Sequence, residues 1–255
     1  GISLPDESYY REEAFADTRD AYVAHLERVF ALAGVSEAAQ RSARVMEFET
    51  AMASHHWDNV RSRDAEATYN PSSRAELTTV LGDFPLELWL DASEIPGEKF
   101  AQVILRQPSF VAALSDVWTQ QSVEALRDWM MWGVIRSFSP YLTEDLVEAH
   151  FDFYGRTLSG TPKIRPRWKR AVSFVEGVMG EAVGKLYVER HFPPEAKSQM
   201  DELVAKLLEA YRLSIQSLEW MSADTKDKAL DKLATFNPKI GYPARWRDYS
   251  QLTVD

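Results

Sequence analysis

Apolar positions along this chain recur at helical rather than alternating intervals. Phe15, Tyr22, Leu26, Val29 and Ala33 are separated by seven, four, three and four residues. That spacing lines them up on one face of a helix over about 12–33, and Gly34 follows where a left-handed residue ends a helix. Ser36 is placed to cap a second helix, whose apolar stripe is Ala39, Ala43, Met46, Ala53 and Trp57. Tyr69, Asn70, Pro71, Ser72 and Ser73 read as a turn. Ser73 and Glu76 then have capping-box spacing, opening a short helix with Leu77, Val80 and Leu81.

The stretch 84–107 is less regular, with a short helix expected from Phe84 to Leu90 and an extended piece at Val103, Ile104 and Leu105. Pro108 is suited to the first position of a helix running to Trp118. Ser122 caps the next, with Leu126, Trp129, Met130 and Val134. Thr143 opens another that reaches Tyr154, and Gly155, Gly160 and Pro162 mark a loop. Three longer helices follow, at about 168–190, 194–220 and 224–236. Met200, Leu203, Leu207, Ala210, Ser214 and Leu218 keep the helical step in the second, and Asn237-Pro238 stops the third. No period of 20–50 residues recurs, which argues against a solenoid. The expected fold is all-α: a multi-helix globular lobe over residues 1–255 with long helices and little or no β structure.

Composition agrees. Glycine contributes 11 of 255 residues, below the usual share of about 7%, and a chain of this length buries roughly 70–75% of its unfolded surface. The formal charge of −10 argues against nucleic acid as a partner, because binding there needs basic surface to displace counterions. No run approaches the length of a membrane span. The absence of cysteine excludes disulfides, thiolate-bound metals and thiol catalysis, and leaves the compartment open. The opening Gly1-Ile2-Ser3-Leu4-Pro5-Asp6 has no signal-like character, and a start at glycine suggests a fragment of something longer.

Searching for chemistry gives little. A helix offers two ligands to one metal at i and i+4, and His25, His55, His56, His150 and His191 contain no such pair. The residues three before them are Tyr22, Met52, Ala53, Val147 and Val188, so no Glu-x-x-His step occurs either. The neighbours His55 and His56 would point about 100° apart on a helix. Gly180-Glu181-Ala182-Val183-Gly184-Lys185-Leu186 lacks the four-residue gap and the hydroxyl of a phosphate-binding loop, and small residues four apart suit close helix packing instead. Lys163, Arg165, Arg167, Lys169 and Arg170 surround Trp168, a mixture that single-strand binders use. Cations at a helix start are electrostatically disfavoured, which points to carboxylate partners elsewhere in the fold. There is no Gly-x-Ser-x-Gly elbow. The 30 aromatics could line a peptide-accepting cavity, but helical spacing assigns most of them to core. No catalytic, cofactor-binding or metal-binding residue is assigned.

Four strings, in order, resemble the neprilysin and endothelin-converting-enzyme family of zinc endopeptidases, particularly its bacterial members. They are Leu4-Pro5-Asp6-Glu7-Ser8-Tyr9-Tyr10; Phe151-Asp152-Phe153-Tyr154-Gly155-Arg156-Thr157-Leu158-Ser159-Gly160; Arg167-Trp168-Lys169-Arg170, continuing through Gly184-Lys185-Leu186-Tyr187-Val188 to Phe192-Pro193-Pro194-Glu195-Ala196-Lys197; and Trp220-Met221, Thr225-Lys226 and Ala229 with Ile240-Gly241-Tyr242-Pro243 and Trp246-Arg247-Asp248-Tyr249. The resemblance implies a part of such an enzyme. The family's HExxH, its later glutamate ligand and its Asn-Ala-Tyr segment have no counterpart between Gly1 and Asp255.

What the resemblance implies is therefore the helical lobe that encloses the cavity and limits substrate size, inactive alone. Its zinc and catalytic lobe would lie on the same polypeptide outside this chain, peptides would be the substrates, and about 237–255 would begin the connection to that lobe. Zero cysteine departs from the disulfide-rich animal members and agrees with a bacterial one, whether cytoplasmic or exported to the envelope. A free-standing helical peptide-binding module is the alternative, and a nucleic-acid binder centred on the basic cluster a distant third. Leu252, Thr253 and Val254 are expected to be poorly ordered.

Overall fold

Tyr22, Leu26, Val29 and Phe30 leave one face of α2 (Ala16–Leu32) and are fully buried. They carry the main core because a helix can bury one stripe only against other helices. The computed structural model describes residues 1–253 and divides into two compact units, Gly1–Ile164 and Arg165–Asp255.

In the first unit a short α1 (Ser8–Arg11) precedes α2, and α3 (Ala38–Ala53), α7 (Val123–Phe138) and α8 (Glu144–His150) surround it. Trp132 of α7, Val45 and Ala53 of α3, and Leu146 and Ala149 of α8 complete its core, with Leu4 and Tyr10. Gly34 takes the left-handed conformation foreseen for it, at φ 73°.

The expected Ser36 cap is not made. Glu37 occupies the N-cap at φ 57° without a side-chain hydrogen bond, and the carbonyl of Ser36 accepts Arg41 Nε at 2.8 Å. The buried face of α3 is also rotated from the expected stripe: Ala39 and Ala43 are exposed, whereas Ser42, Val45, Phe48, Glu49 and Met52 are buried. Two polar residues sit in the buried row, so a reading by hydrophobicity followed the alanines.

A smaller cluster joins α4 (Arg74–Leu81), α5 (Leu86–Ala92) and α6 (Pro108–Thr119) through Leu77, Leu81, Leu86, Leu90 and Leu105. Here the local signals act as read. Ser73 and Glu76 form the full capping box, Pro108 starts α6, and Ser122 accepts from Ala125 N ahead of α7. The expected turn at Pro71–Ser73 is instead a strand, β1, paired antiparallel with β2 (Gln102–Ile104) in the register Ser72↔Val103. Asn70 sets this up by donating its side-chain amide to the carbonyls of Ala67 (2.7 Å) and Leu105 (3.0 Å).

After α8 the chain continues as a π-helical turn, Phe151–Thr157, where a loop was expected from Gly155. The Phe151 ring lies on Gly155 so closely that a Cβ there would sit 2.4 Å from Cδ2. Only glycine lets the widened turn close under that ring.

The second unit contains α9 (Arg167–His191), α10 (Pro194–Ser217) and α11 (Ala223–Ala234), with α10 packed on α11. Non-helical backbone at Met179 (φ −128°, ψ 35°), between Gly177 and Gly180, bends α9; glycine offers no side chain to brace the ladder there. α10 ends at Ser217, short of the expected Trp220, which is exposed. None of the described residues of this unit is buried. Val254 lies outside the described residues.

Candidate functional site

The most strongly built polar site is a buried carboxylate. Glu49 falls on the same face of α3 as Val45, Phe48 and Met52 and is fully buried. It accepts hydrogen bonds from Ser3 Oγ (2.6 Å), Tyr10 OH (2.7 Å), Tyr22 OH (2.9 Å) and Ser3 N (3.3 Å). Trp132 Nε1 donates to Ser3 Oγ at 3.1 Å, and the Ser3 and Leu4 amides donate to Tyr10 OH at 3.1 and 3.0 Å. Burial, reinforced by the Glu49 charge, raises both tyrosine hydroxyls above their ordinary range. Each donor is thereby held protonated toward its acceptor. The string Leu4 to Tyr10 is thus part of a tie that fastens the opening segment to α2, α3 and α7, with Asp6 adding an accepted bond from Asn59 Nδ2 at 2.6 Å.

Asp128 of α7 is a second buried carboxylate. It receives Arg44 through Nε (2.7 Å) and Nη2 (2.6 Å), and Arg41 through Nη1. Two arginines one turn apart on α3 grip one acceptor on α7, which fixes how these helices meet.

His25 is the third group. Its ring stacks on Phe153 at 4.9 Å and 12°, with Trp132 and Tyr154 meeting it edge-on. Its Nε2 has no hydrogen-bond partner, and burial pushes its pKa down to about 3. Beside it, Arg28 donates to Asp152 at 2.7 Å, and Arg156 pairs with the other Asp152 oxygen. Ala21, Ala24, His25, Arg28, Asp152 and Thr157 are among the residues around a hollow of about 250 Å³. Burial lowers His150 and raises the Tyr154 hydroxyl to about 12. The Phe151–Gly160 string thus shapes the floor under α2.

None of the five histidines belongs to a possible metal-holding group among the described residues. His55 is exposed at the end of α3, and His56 stacks on Phe110 at 4.2 Å. His191 lies against Tyr187 at 4.8 Å.

In the second unit, Gly180 to Leu186 lies inside α9 and is no phosphate loop. Trp246 lies against Gly184, where an added Cβ would come within 3.6 Å of its ring. With Tyr187, Tyr242 and Pro243 these residues shape a cleft of about 510 Å³. Gly241 takes φ 69°, and a Cβ there would sit 2.6 Å from Phe192. The string Ile240-Gly241-Tyr242-Pro243 therefore needs glycine both for backbone and for space.

The basic cluster does not find its expected carboxylates: among the described residues no ion pair involves Lys163, Arg165, Arg167, Lys169 or Arg170. Arg165 bonds Ser173 Oγ at 3.3 Å, Arg170 bonds the Arg165 carbonyl at 3.2 Å, and Lys169 stands 5.4 Å from the Trp168 ring centre. Sequence reasoning missed Glu49 and Asp128. The available signal was helical register with buried neighbours, since Glu49 follows Val45 by four residues and precedes Met52 by three.

The fold is a predominantly helical scaffold in which the buried carboxylates Glu49 and Asp128 tie helices together. The profile of peptidase family M13 matches residues 1–243, in the N-terminal part of that family, and the chain belongs to it. The Mycobacterium tuberculosis zinc metalloprotease Zmp1, solved in complex with an inhibitor, is 45% identical over 100% of this chain and 39% of that one, with a TM-score of 0.89. A putative zinc metalloproteinase of Streptococcus gordonii is 28% identical over 100% of this chain and 46% of its own length. Rat endothelin-converting enzyme 1 is 26% identical over 99% of this chain and 34% of its length. The chain thus spans less than half of each of these relatives.

Proposed function

We propose that this chain is the helical part of a zinc-dependent metalloendopeptidase, that it walls a cavity admitting peptides and refusing folded proteins, and that it hydrolyses nothing alone. The observation that supports this most is the similarity of the whole chain, at a TM-score of 0.89, to part of an inhibitor-bound zinc metalloprotease.

Among the described residues no group of donors fits zinc. His25 and His150 leave ring nitrogens unpartnered, but aromatic rings surround His25 and Tyr154 lies against His150. The oxygens of Glu49 are taken by hydroxyl and amide donors. On this reading zinc lies on polypeptide outside this chain, and the contribution here is mechanical. Helices locked by Glu49 and Asp128 hold a wall rigid, and a rigid wall limits water and fixes the pose of a bound peptide. The exposed apolar row Met130, Val134 and Phe138 on α7, beside a hollow of about 410 Å³, offers such a surface.

A free-standing peptide-binding module is the second reading, favoured by those same exposed side chains. The two separate cleanly in an assay of the purified chain with fluorogenic peptides and zinc analysis. No turnover and no stoichiometric zinc are expected. A chimaera carrying this chain in place of the matching part of Zmp1 is expected to cut peptides in a chelator-sensitive way. Chelator-sensitive cleavage by the 255-residue chain alone would overturn the proposal, and saturable peptide binding by that chain, with an inactive chimaera, would favour the module.

A further inference from the structure

The two units differ in what they bury. The first has a continuous core around Tyr22, Phe30 and Trp132, whereas no residue of α9, α10 or α11 is buried. Yet α10 is strongly amphipathic. Ala205, Leu208 and Arg212 share a hollow with Leu230 and Leu233 of α11. A different row, Met200, Leu203, Leu207 and Tyr211, is spaced three, four and four residues apart and is 40, 57, 50 and 54% exposed. On α9, Trp168, Val172, Val175 and Val178 repeat the pattern at 65, 47, 44 and 59%. An uncovered apolar row on a helix of this length marks an interaction surface, because soluble proteins seldom leave such area in water.

We infer that these two rows are the seat for the part of the M13 peptidase that this chain does not span, and that the second unit gains a core only when that polypeptide packs on it. The inference rests on the peptidase reading and names the surface it requires. Length supports this occupant: in the mycobacterial relative the matching part is 39% of a chain whose remainder is available to cover it. On α10 charge argues against a lipid surface, although the first turn of α9 is basic through Arg167, Lys169 and Arg170. α10 carries the acids Glu195, Asp201, Glu202 and Glu209 against Lys197, Lys206 and Arg212, whereas membrane-surface helices are rich in Lys and Arg on the polar face.

Hydrogen exchange measured by mass spectrometry tests this, comparing the 255-residue chain at two concentrations with the chimaera. In the chain alone, α2 and α3 are expected to exchange slowly, and α10 and the first half of α9 quickly at both concentrations. In the chimaera those segments are expected to slow at least ~10-fold. Leu203→Asp with Leu207→Asp should leave exchange in the isolated chain unchanged, since nothing covers those positions there, and should abolish the added protection in the chimaera.

Protection of α10 in the isolated chain equal to that of α3 would overturn the inference. Protection that grows with concentration would overturn it in favour of a second copy of this chain. A chimaera that protects α10 but cuts no peptide defeats the peptidase reading and leaves the surface standing, and one that cuts peptide while α10 exchanges freely does the reverse.

Discussion

Replacing His25 by phenylalanine should remove a defined share of the acid sensitivity of the first unit. His25 is 6% exposed and stacked on Phe153, and its pKa falls from the ordinary 6.5 to about 3 because burial disfavours the charged ring. His150 and Arg28 lower it further, and Asp152 opposes them. A depressed folded value means that the unfolded chain binds more protons between pH 6.5 and 3. The contribution is therefore complete above pH 6.5 and is lost as pH falls through that window. At about 1.36 kcal/mol per unit, the loss between pH 8 and pH 5 is ~2 kcal/mol, rising to ~5 kcal/mol by pH 3. His150, also lowered by burial, adds in the same direction.

The assay is amide exchange at Leu26, Val29 and Phe30, corrected for intrinsic rates, at pH 8 and pH 5. His25→Phe should lose ~2 kcal/mol less than the natural chain over that interval, the remaining slope belonging to His150 and the carboxylates. If the two proteins lose the same stability to within about 0.5 kcal/mol, the buried neutral imidazole is not what the first unit depends on.

Glu49→Ala should cost about 3–5 kcal/mol in urea unfolding of the first unit, because it orphans the Ser3, Tyr10 and Tyr22 hydroxyls; a loss under ~1 kcal/mol would deny the tie its role. Glu49→Gln keeps an acceptor and should cost roughly half as much. Gly155→Ala should cost about 1–3 kcal/mol by displacing the Phe151 ring, and in a Phe151→Ala background that cost should fall below ~0.5 kcal/mol, which a double-mutant cycle by thermal unfolding reads directly.

The elements legible in the sequence were those written locally. Ser73 with Glu76, Pro108, Ser122 and Gly34 are chemical instructions complete within four residues, and each acts in place. What escaped was set by distant partners. Glu49 is buried because Tyr10, Tyr22 and Ser3 fold over it, which hydropathy along α3 does not encode. Pro71–Ser73 extends because Gln102–Ile104 pairs with it across some thirty residues. The turn after α8 is a local exception, shaped by the Phe151 ring on Gly155, a contact that the pattern of apolar positions does not encode. The strings that carried the family resemblance needed no such partners, and the tie at Tyr10 and the glycines at 155 and 241 give several of them a physical reason.

The Trp132 indole bonds Ser3, 129 positions away along the chain. At a synthesis rate of about 5–20 residues per second, the segment from Ser3 to Tyr10 emerges from the ribosome roughly 6–26 seconds before the last of its anchors is made. Through that interval Leu4 and Tyr10 travel as an unsheltered greasy thread. Chaperones have that long to reach it, and until it docks the Glu49 carboxylate lacks the Ser3 and Tyr10 donors that its burial needs.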